Sequence, residues 1–171
     1  MRRLWLLRHA KAAPIEAGDD RERPLTGKGE RAVREVGAWA AERRLQPDLV
    51  LCSTAVRTRQ TATLLLPFLA GKPEVAYEAG LYLADVPALL ERLRQVPDAR
   101  QGVMVIGHNP GLHALGVMLL KSGGSALSRR LILAMPTGTL AGFTLDVPWL
   151  GLGRGAGRLE TLVGPKDLRD D

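Results

Sequence analysis

Short apolar runs recur along the first two thirds of the chain, and each one ends in a polar break. Four of these runs are bounded by polar or turn residues and are too short for a helix, which is typical of buried strands. They span residues 4–7, 48–52, 74–77 and 103–106. The pattern therefore predicts four strands that other elements cover on both faces.

Between these runs, the apolar positions recur at helical spacing. This spacing predicts a helix between Thr26 and Pro47, followed by helices at residues 55–66, 86–96 and 112–120. We expect Thr26 to cap the first helix, because its hydroxyl can accept a hydrogen bond from a free amide of the first turn.

The remainder of the chain is less regular. Residues 121–125 form a connection of glycine and serine, and residues 137–145 and 158–163 resemble two further strands, with a glycine-rich turn at 149–157 between them. Strands that alternate with helices favour an α/β fold, because parallel neighbours need long crossover connections. We therefore expect a mostly parallel central sheet flanked by helices on both faces.

Length and composition predict one domain that spans residues 1–171. Contents of 46% hydrophobic and 25% charged residues are ordinary for a globular protein, and the chain is long enough to bury a core. No apolar run approaches the roughly 20 residues that cross a bilayer, and the apolar stretch behind Met1 is too short for a secretory signal. We expect a cytoplasmic protein with no membrane partner, and the single cysteine, Cys52, agrees with a reducing compartment.

The charge balance favours anionic partners. The chain has 24 lysines and arginines against 18 acidic residues, which gives a net charge of +6. Nucleic-acid modules combine such basic charge with stacking aromatic side chains, and only 4% of this chain is aromatic. We therefore expect phosphate groups on a protein or a small molecule as the partner, and no nucleic acid.

Polar side chains follow three of the predicted strands at the point where each strand ends. Arg8 and His9 follow the first strand, Arg57 lies shortly behind the second, and His108 and Asn109 follow the fourth. In an open α/β sheet, ligands bind in the crevice beyond the carboxyl ends of the strands. The sequence therefore predicts that these side chains meet in one crevice.

Two histidines and two arginines in one crevice favour phosphoryl transfer to a histidine. His9 is the candidate nucleophile, because a neutral imidazole is nucleophilic near pH 7, and the arginines should lower its pKa and keep it neutral. Arg8, Arg57 and His108 would hold the equatorial phosphoryl oxygens and offset their charge. With cations already surrounding the phosphoryl group, this chemistry requires no metal and no cofactor.

Other phosphate chemistries fit the sequence less well. A cysteine phosphatase needs five residues between its cysteine and arginine, whereas four separate Cys52 from Arg57, so we expect Cys52 to be a structural thiol. The glycine-rich stretches lack the spacing of a nucleotide-binding P-loop, and the three histidines lack metal-ligand spacing. We expect the third histidine, His113, to be a packing or surface residue and not a ligand.

Four motifs occur in a fixed order along the chain: LRHAKA at 7–12, RPLT at 23–26 with Gly29 following, STAVRTRQTA at 53–62 and GHNPG at 107–111. They resemble the signature segments of the histidine phosphatase superfamily and, within it, the short SixA-type phosphohistidine phosphatases. The resemblance covers about residues 1–120. Two residues depart from the usual pattern, Ala10 in place of glycine and Thr54 in place of proline. Alanine is tolerated after His9 unless the backbone there has a positive φ.

The resemblance implies a phosphoglycerate mutase-like fold and a phosphohistidine intermediate on His9. It also implies a phosphate pocket of Arg8, Arg57 and His108, to which Asn109 is a further candidate. The proton donor is left open between two carboxyl groups. The first loop of the family points to Asp20, and mutase-like members point to a glutamate in the middle of the chain, for which Glu78 is the nearest candidate.

Three functions are compatible with these residues. The one we favour is hydrolysis of phosphohistidine in a partner protein, because the lack of long insertions between the motifs implies an open pocket that a protein side chain can reach. The alternatives are a general phosphomonoesterase that acts on small molecules and a phosphate-binding module without turnover. Retention of a nucleophile favours an enzyme over the binding module, since a binder has no need of one.

Overall fold

All strands of the protein join one six-stranded sheet in the computed structural model, which describes residues 1–169. In chain order the strands are β1 (Arg2–Arg8), β2 (Leu49–Ser53), β3 (Glu74–Glu78), β4 (Gly102–Gly107), β5 (Leu140–Leu145) and β6 (Gly157–Val163). Each of the six strands predicted from the sequence is present, and the observed bounds differ by a few residues.

The sheet is mixed and mostly parallel, with the strand order β3-β2-β4-β1-β5-β6. The first four strands in this order are parallel, and β1 lies beside β4 with Leu6 opposite Val105. β5 runs antiparallel to both β1 and β6. This arrangement confirms the predicted fold class, and the antiparallel pair of β5 and β6 is formed by consecutive strands with no α-helix between them.

Six α-helices accompany the sheet within residues 1–169: α1 (Gly27–Glu42), α2 (Val56–Leu65), α3 (Val86–Arg94), α4 (Gly111–Leu119), α5 (Ala126–Leu133) and α6 (Pro165–Leu168). The first four match the predicted helices, and the Thr26 hydroxyl caps α1 by accepting a hydrogen bond from Gly29 N at 3.0 Å. The sequence did not predict α5 and α6. Both are short, and α5 exposes Ile132 and Leu133, which obscures its apolar face. Within residues 1–169, no helix combines the length and the apolar character needed to cross a bilayer.

Helices cover both faces of the sheet. Because alternate residues of each strand point to opposite sides, each strand contributes side chains to two cores. Leu4 and Leu6 of β1 belong to a core that includes residues of α3, α4 and α5. Trp5 and Leu7 belong to a second core that includes residues of α1 and α2. Burial on both faces explains why the central strands have continuous apolar sequences instead of alternating ones.

One strand begins later than the sequence predicts. The apolar stretch at 137–145 was expected to be a strand throughout, whereas β5 starts at Leu140. Gly138 adopts φ +77°, a left-handed conformation that ends the strand geometry, and its amide donates to the carbonyl of His9 at 2.9 Å. This turn therefore lies against the segment that carries the candidate nucleophile.

Candidate active site

The carboxyl ends of the central strands deliver four of the predicted side chains to one place. Arg8 ends β1, His9 follows it, His108 follows β4, and Arg57 lies in the first turn of α2 behind β2. Because β2, β4 and β1 are parallel neighbours, these ends lie along the same edge of the sheet. A cavity of about 430 Å³ opens there, lined by Arg8, His9, Lys11, Ala12, Asp20, Arg23, Arg57, Tyr82, Leu83, His108, Asn109 and Thr137.

His9 is held as a neutral imidazole with one ring nitrogen facing the cavity. Its Nδ1 lies 2.7 Å from the carbonyl of Ala10, which can only accept, so Nδ1 carries the proton. Its Nε2 is therefore unprotonated, and Arg57 Nε donates to it at 3.3 Å. Burial is the largest cause that lowers the pKa of His9 to about 4, and the charges of Arg57 and Arg8 contribute to the same value. Burial is thus a larger cause than the arginine charge that the sequence analysis invoked.

Arg57 connects both histidines to the first loop. The side chain is only 3% exposed, and its nitrogens reach separate partners. Nε donates to His9, Nη1 donates to the backbone carbonyl of Asp20 at 2.8 Å, and Nη2 lies 3.0 Å from Asp20 Oδ2 and 3.3 Å from His108 Nδ1. The planar guanidinium therefore fixes the relative positions of three segments that are distant in sequence.

His108 faces His9 across the cavity, with ring centroids 5.4 Å apart. Its Nδ1 accepts from Arg57, so the proton of the neutral ring lies on Nε2, which donates to the Ser53 hydroxyl at 2.8 Å. Burial, with a smaller contribution from the charge of Arg57, lowers the pKa of His108 to about 3. His108 is therefore neutral in the free protein and presents Nδ1 to the same space as His9 Nε2.

Arg8 and Asn109 share a backbone acceptor. Arg8 Nη1 donates to the carbonyl of Met135 at 3.1 Å, and Asn109 Nδ2 donates to the same oxygen at 2.9 Å. Asn109 Oδ1 also accepts from the amide of His113 at the start of α4, at 3.2 Å. Both side chains line the cavity. The side-chain amide of Asn109 links the turn before β5 to α4.

Asp20 lies in the cavity as an ionised carboxylate. It accepts hydrogen bonds from the Tyr82 hydroxyl and from Arg23 Nη1, and it forms an ion pair with Arg57. These donors, with Tyr82 the largest contributor, hold the pKa of Asp20 well below its usual range. Among the described residues that line the cavity, Asp20 supplies the single carboxyl group.

Glu78, the second candidate for the proton donor, does not line the cavity. It ends β3, where its carboxylate accepts two hydrogen bonds from the Arg92 guanidinium of α3, at 2.7 and 2.9 Å. Glu78 therefore forms a bidentate ion pair that links β3 to α3.

Tyr82 is a cavity residue that the sequence analysis missed. Its ring packs edge-on against His108 with centroids 5.3 Å apart, and the Arg57 guanidinium lies 5.9 Å from the ring centroid. Tyr82 lies four residues beyond β3, so it follows a fourth strand end on the same edge of the sheet. The reasoning that singled out the other strand ends could have found it.

Two residues with competing interpretations have structural roles. Cys52 is fully buried, its thiol donates to the carbonyl of Thr58 at 3.4 Å, and burial raises its pKa to about 12, which excludes a thiolate nucleophile near pH 7. His113 Nε2 lies 2.5 Å from the carbonyl of Leu131 and links α4 to α5. The alanine after His9 is unstrained, because Ala10 is not among the residues with positive φ.

The cavity combines an unprotonated imidazole with several cations. Arg8, Arg23, Arg57 and Lys11 line it against the one carboxylate of Asp20, so its charge favours a dianion. His9 Nε2 and His108 Nδ1 both face the space beside the Arg57 guanidinium. This geometry can bind a phosphoryl group and bring a nitrogen nucleophile to phosphorus. No three His, Cys, Asp or Glu side chains within residues 1–169 are grouped so as to hold a metal ion.

Comparisons with known proteins agree with the cavity chemistry. The sequence profile of the Histidine phosphatase superfamily (branch 1) matches residues 4–82. An uncharacterised protein of Mycobacterium tuberculosis strain H37Rv is 31% identical over 155 residues, which covers 90% of this chain and 96% of the relative. The similarity extends well beyond the segment that the profile matches.

Two solved structures share the whole fold. A SixA protein from Nakamurella multipartitia, which carries a provisional assignment as a phosphohistidine phosphatase, is 32% identical and superposes with a TM-score of 0.84, covering 96% of both chains. A SixA protein from Agrobacterium tumefaciens with the same provisional assignment is 30% identical, with a TM-score of 0.79, covering 96% of this chain and 99% of the other.

Proposed function

The chain belongs to the histidine phosphatase superfamily and is a phosphatase, and from this premise we propose that it removes the phosphoryl group from phosphohistidine in a partner protein. The similarity to SixA proteins supports this substrate class. The observation that carries the proposal is the state of His9, whose Nε2 is unprotonated and faces the cavity beside Arg57.

In the proposed first step, His9 Nε2 attacks phosphorus. Arg8, Arg57 and His108 hold the phosphoryl oxygens, and their positive charge offsets the charge of the transition state. The bond from phosphorus to His9 Nε2 forms as the bond to the substrate imidazole breaks. Binding of the dianion raises the pKa of the His108 ring, so that Nδ1 becomes a donor to a phosphoryl oxygen.

The leaving group explains why a phosphohistidine substrate fits this cavity. Ester cleavage expels an alkoxide and needs a proton donor, whereas Asp20 is ionised and accepts three donors. A phosphohistidine ring takes a proton from solvent on its second nitrogen and departs as neutral imidazole. The proposal therefore requires no protonated carboxyl in the first step, and it assigns Asp20 to positioning Arg57 instead of to donating a proton.

The second step returns His9 to its starting state. Water attacks phosphorus, the bond from phosphorus to Nε2 breaks, and inorganic phosphate leaves. The Ala10 carbonyl keeps the proton on Nδ1 throughout, so His9 also departs as a neutral imidazole. The proton of the attacking water passes to the phosphate product or to solvent, because the donors around Asp20 hold its pKa too low for an effective base.

The test compares the wild type with His9→Ala on a phosphohistidine protein and on an aryl phosphate. We expect the wild type to release phosphate from phosphohistidine and to form an acid-labile phosphoenzyme. His9→Ala should lower the turnover by about a thousandfold or more, because the covalent route is lost. His113→Ala, a histidine outside the cavity, is the matched control and should keep the activity.

Each alternative has its own outcome. Undiminished hydrolysis by His9→Ala contradicts the covalent mechanism. Hydrolysis of the aryl phosphate without hydrolysis of phosphohistidine assigns the protein to the general phosphomonoesterases. Phosphate binding without turnover of either substrate assigns it to the non-catalytic binding modules.

A further inference from the structure

A second, smaller cavity adjoins the active-site cavity. We call it the basic groove and define it by Lys11, Lys28, Thr137, Lys166 and Arg169, which line a volume of about 140 Å³. Lys11 and Thr137 line the active-site cavity as well. A chain segment whose side chain enters the active site can therefore continue directly into the basic groove.

All charged residues that line the basic groove are cations. Lys11, Lys28 and Lys166 are exposed, and none of the three forms an ion pair within residues 1–169. Arg169 lies 3.5 Å from Glu35 Oε2 of α1. Like charges held close together repel one another, and an anionic group placed among them relieves this repulsion.

The backbone that carries Lys11 and Lys28 is held firmly. The carbonyl of Lys11 accepts from the amide of Thr26 at 2.9 Å, and a Cβ atom on Gly29 would lie 2.2 Å from that carbonyl oxygen. The loop of Lys11 is therefore packed directly on the first turn of α1, in which Lys28 lies. This contact fixes one wall of the groove beside the nucleophile segment.

The opposite wall, which carries Lys166 and Arg169, is fixed by contacts of α6. Asp167 Oδ2 accepts from the amide of Gly164 at 2.7 Å, and Asp167 Oδ1 pairs with Arg130 of α5 at 3.0 Å. Gly138 packs against Pro165, since a Cβ there would lie 3.1 Å from the proline ring. The groove is thus formed by segments that are packed on one another.

We propose that the basic groove binds an acidic segment of the partner protein, next to its phosphohistidine. The inference rests on the proposed function and specifies its substrate: aspartate or glutamate side chains flank the phosphorylated histidine. Three separate, exposed lysines suit carboxylates spread along a polypeptide, whereas a second phosphate of a small molecule favours converging arginine forks. The groove therefore increases the rate of productive encounter and lowers KM.

The test uses two phosphohistidine peptides that differ in the flanking residues, one with Asp and Glu and one with Asn and Gln. The variants are the double substitution Lys28→Gln with Lys166→Gln, and a matched control outside the groove, Lys72→Gln with Arg154→Gln. We expect the wild type and the control to prefer the acidic peptide by about three- to tenfold in kcat/KM, through KM. This preference should vanish in the groove variant and weaken with added salt.

The outcomes separate the groove from the catalytic proposal. If the wild type hydrolyses the two peptides at equal rates, the groove proposal is overturned, whatever the rates of the groove variant. The proposed phosphohistidine activity is then unaffected. Failure to hydrolyse either peptide overturns the proposed function, and the inference that rests on it falls with it. A preference of the wild type for a bisphosphorylated small molecule, lost in the groove variant, contradicts a peptide occupant.

Binding provides a readout independent of turnover. The unphosphorylated acidic peptide, labelled for fluorescence anisotropy, should bind the wild type and the control more tightly than the groove variant, by a similar factor. Equal binding to all three proteins contradicts the proposal, because the lysines would then contribute nothing to holding the acidic segment.

Discussion

Arg57 is the residue on which the geometry of the cavity depends most. Its three nitrogens contact His9, His108 and both the backbone and the carboxylate of Asp20. Lysine has one nitrogen at the end of a flexible chain and cannot make these contacts in one plane. The guanidinium therefore holds the nucleophile, the second histidine and the first loop at fixed distances before any ligand binds.

Tyr82 supports this arrangement through Asp20. We predict that Tyr82→Phe keeps the fold and lowers kcat/KM on a phosphohistidine substrate by about three- to thirtyfold, since a hydrogen bond to a charged group is worth about 1.5–3 kcal/mol when buried and less at a partly exposed site. The loss of the hydroxyl frees Asp20 Oδ2 to shift and loosens its ion pair with Arg57. Steady-state kinetics and circular dichroism measure the two effects.

For the same variant we make a second, independent prediction, which concerns the pKa of Asp20. The Tyr82 hydroxyl is the largest cause of the lowered pKa of Asp20, so Tyr82→Phe should raise that pKa. An NMR titration of the Asp20 carboxyl checks this. Tyr77→Phe, a tyrosine of β3 outside the cavity, is the control and should leave both kinetics and titration unchanged. Wild-type kinetics in Tyr82→Phe would show that the hydroxyl does not position Asp20.

At the scale of elements, the active site depends on how loops are attached to the ends of strands. The loop between His9 and α1 carries Asp20, and it is anchored where the Lys11 carbonyl accepts from the Thr26 amide. Ala12 and Leu25 form an antiparallel bridge within the same loop. The first turn of α1 therefore determines where the Asp20 carboxylate lies relative to the sheet edge.

Gly29 makes this attachment possible. We predict that Gly29→Ala destabilises the protein by about 1–3 kcal/mol and lowers kcat, because its Cβ would lie 2.2 Å from the Lys11 carbonyl oxygen and the loop would have to move. Chemical denaturation and steady-state kinetics measure the two effects.

Gly27→Ala is the matched control in the same turn. A Cβ at Gly27 has its nearest contact at 3.5 Å, an ordinary packing distance, so stability and activity should stay close to those of the wild type. Equal losses in the two alanine variants would contradict the assignment of the effect to the contact with Lys11, because Gly→Ala by itself favours a helix.

At the scale of the whole molecule, the two buried histidines make folding sensitive to acid. The pKa of His9 is lowered from 6.5 to about 4 and that of His108 to about 3, chiefly by burial. In the unfolded chain both rings take up protons near pH 6.5, while the folded protein still excludes them. The unfolded state therefore binds more protons, and the free energy of unfolding falls as the pH decreases below 6.5.

We predict that the free energy of unfolding decreases between pH 7.5 and pH 5, by on the order of 2 kcal/mol for each of the two histidines. Asp20 contributes in the same direction but at lower pH, since its stabilising contribution is present above about pH 4 and is lost only below it. Urea denaturation at the two pH values measures the change.

Asparagine variants test the assignment to these residues. His9→Asn and His108→Asn remove one titrating ring each, so each should reduce the difference between pH 7.5 and pH 5. A wild-type stability that is equal at both pH values would contradict the neutral, buried state of the histidines.

The sequence predicted the fold because the fold depends on local patterns. Continuous apolar runs identified the buried strands, helical spacing identified α1 to α4, and Thr26 was recognised as a cap from its chemistry alone. The short helix α5 was not predicted, because Ile132 and Leu133 are apolar yet exposed, so the apolar positions do not mark its buried face.

The sequence by itself also predicted which strand ends carry the chemistry: Arg8 with His9, Arg57, and His108, since polar residues at the ends of buried parallel strands meet at one edge. Only the tertiary structure decided which ring nitrogen of each histidine faces the cavity, that Asp20 is ionised by Tyr82, Arg23 and Arg57, and that Glu78 pairs with Arg92 outside it. Asp20 meets Arg57 and Tyr82 across 37 and 62 positions of sequence, and the histidines are buried only in the assembled fold, so no local pattern encodes these properties.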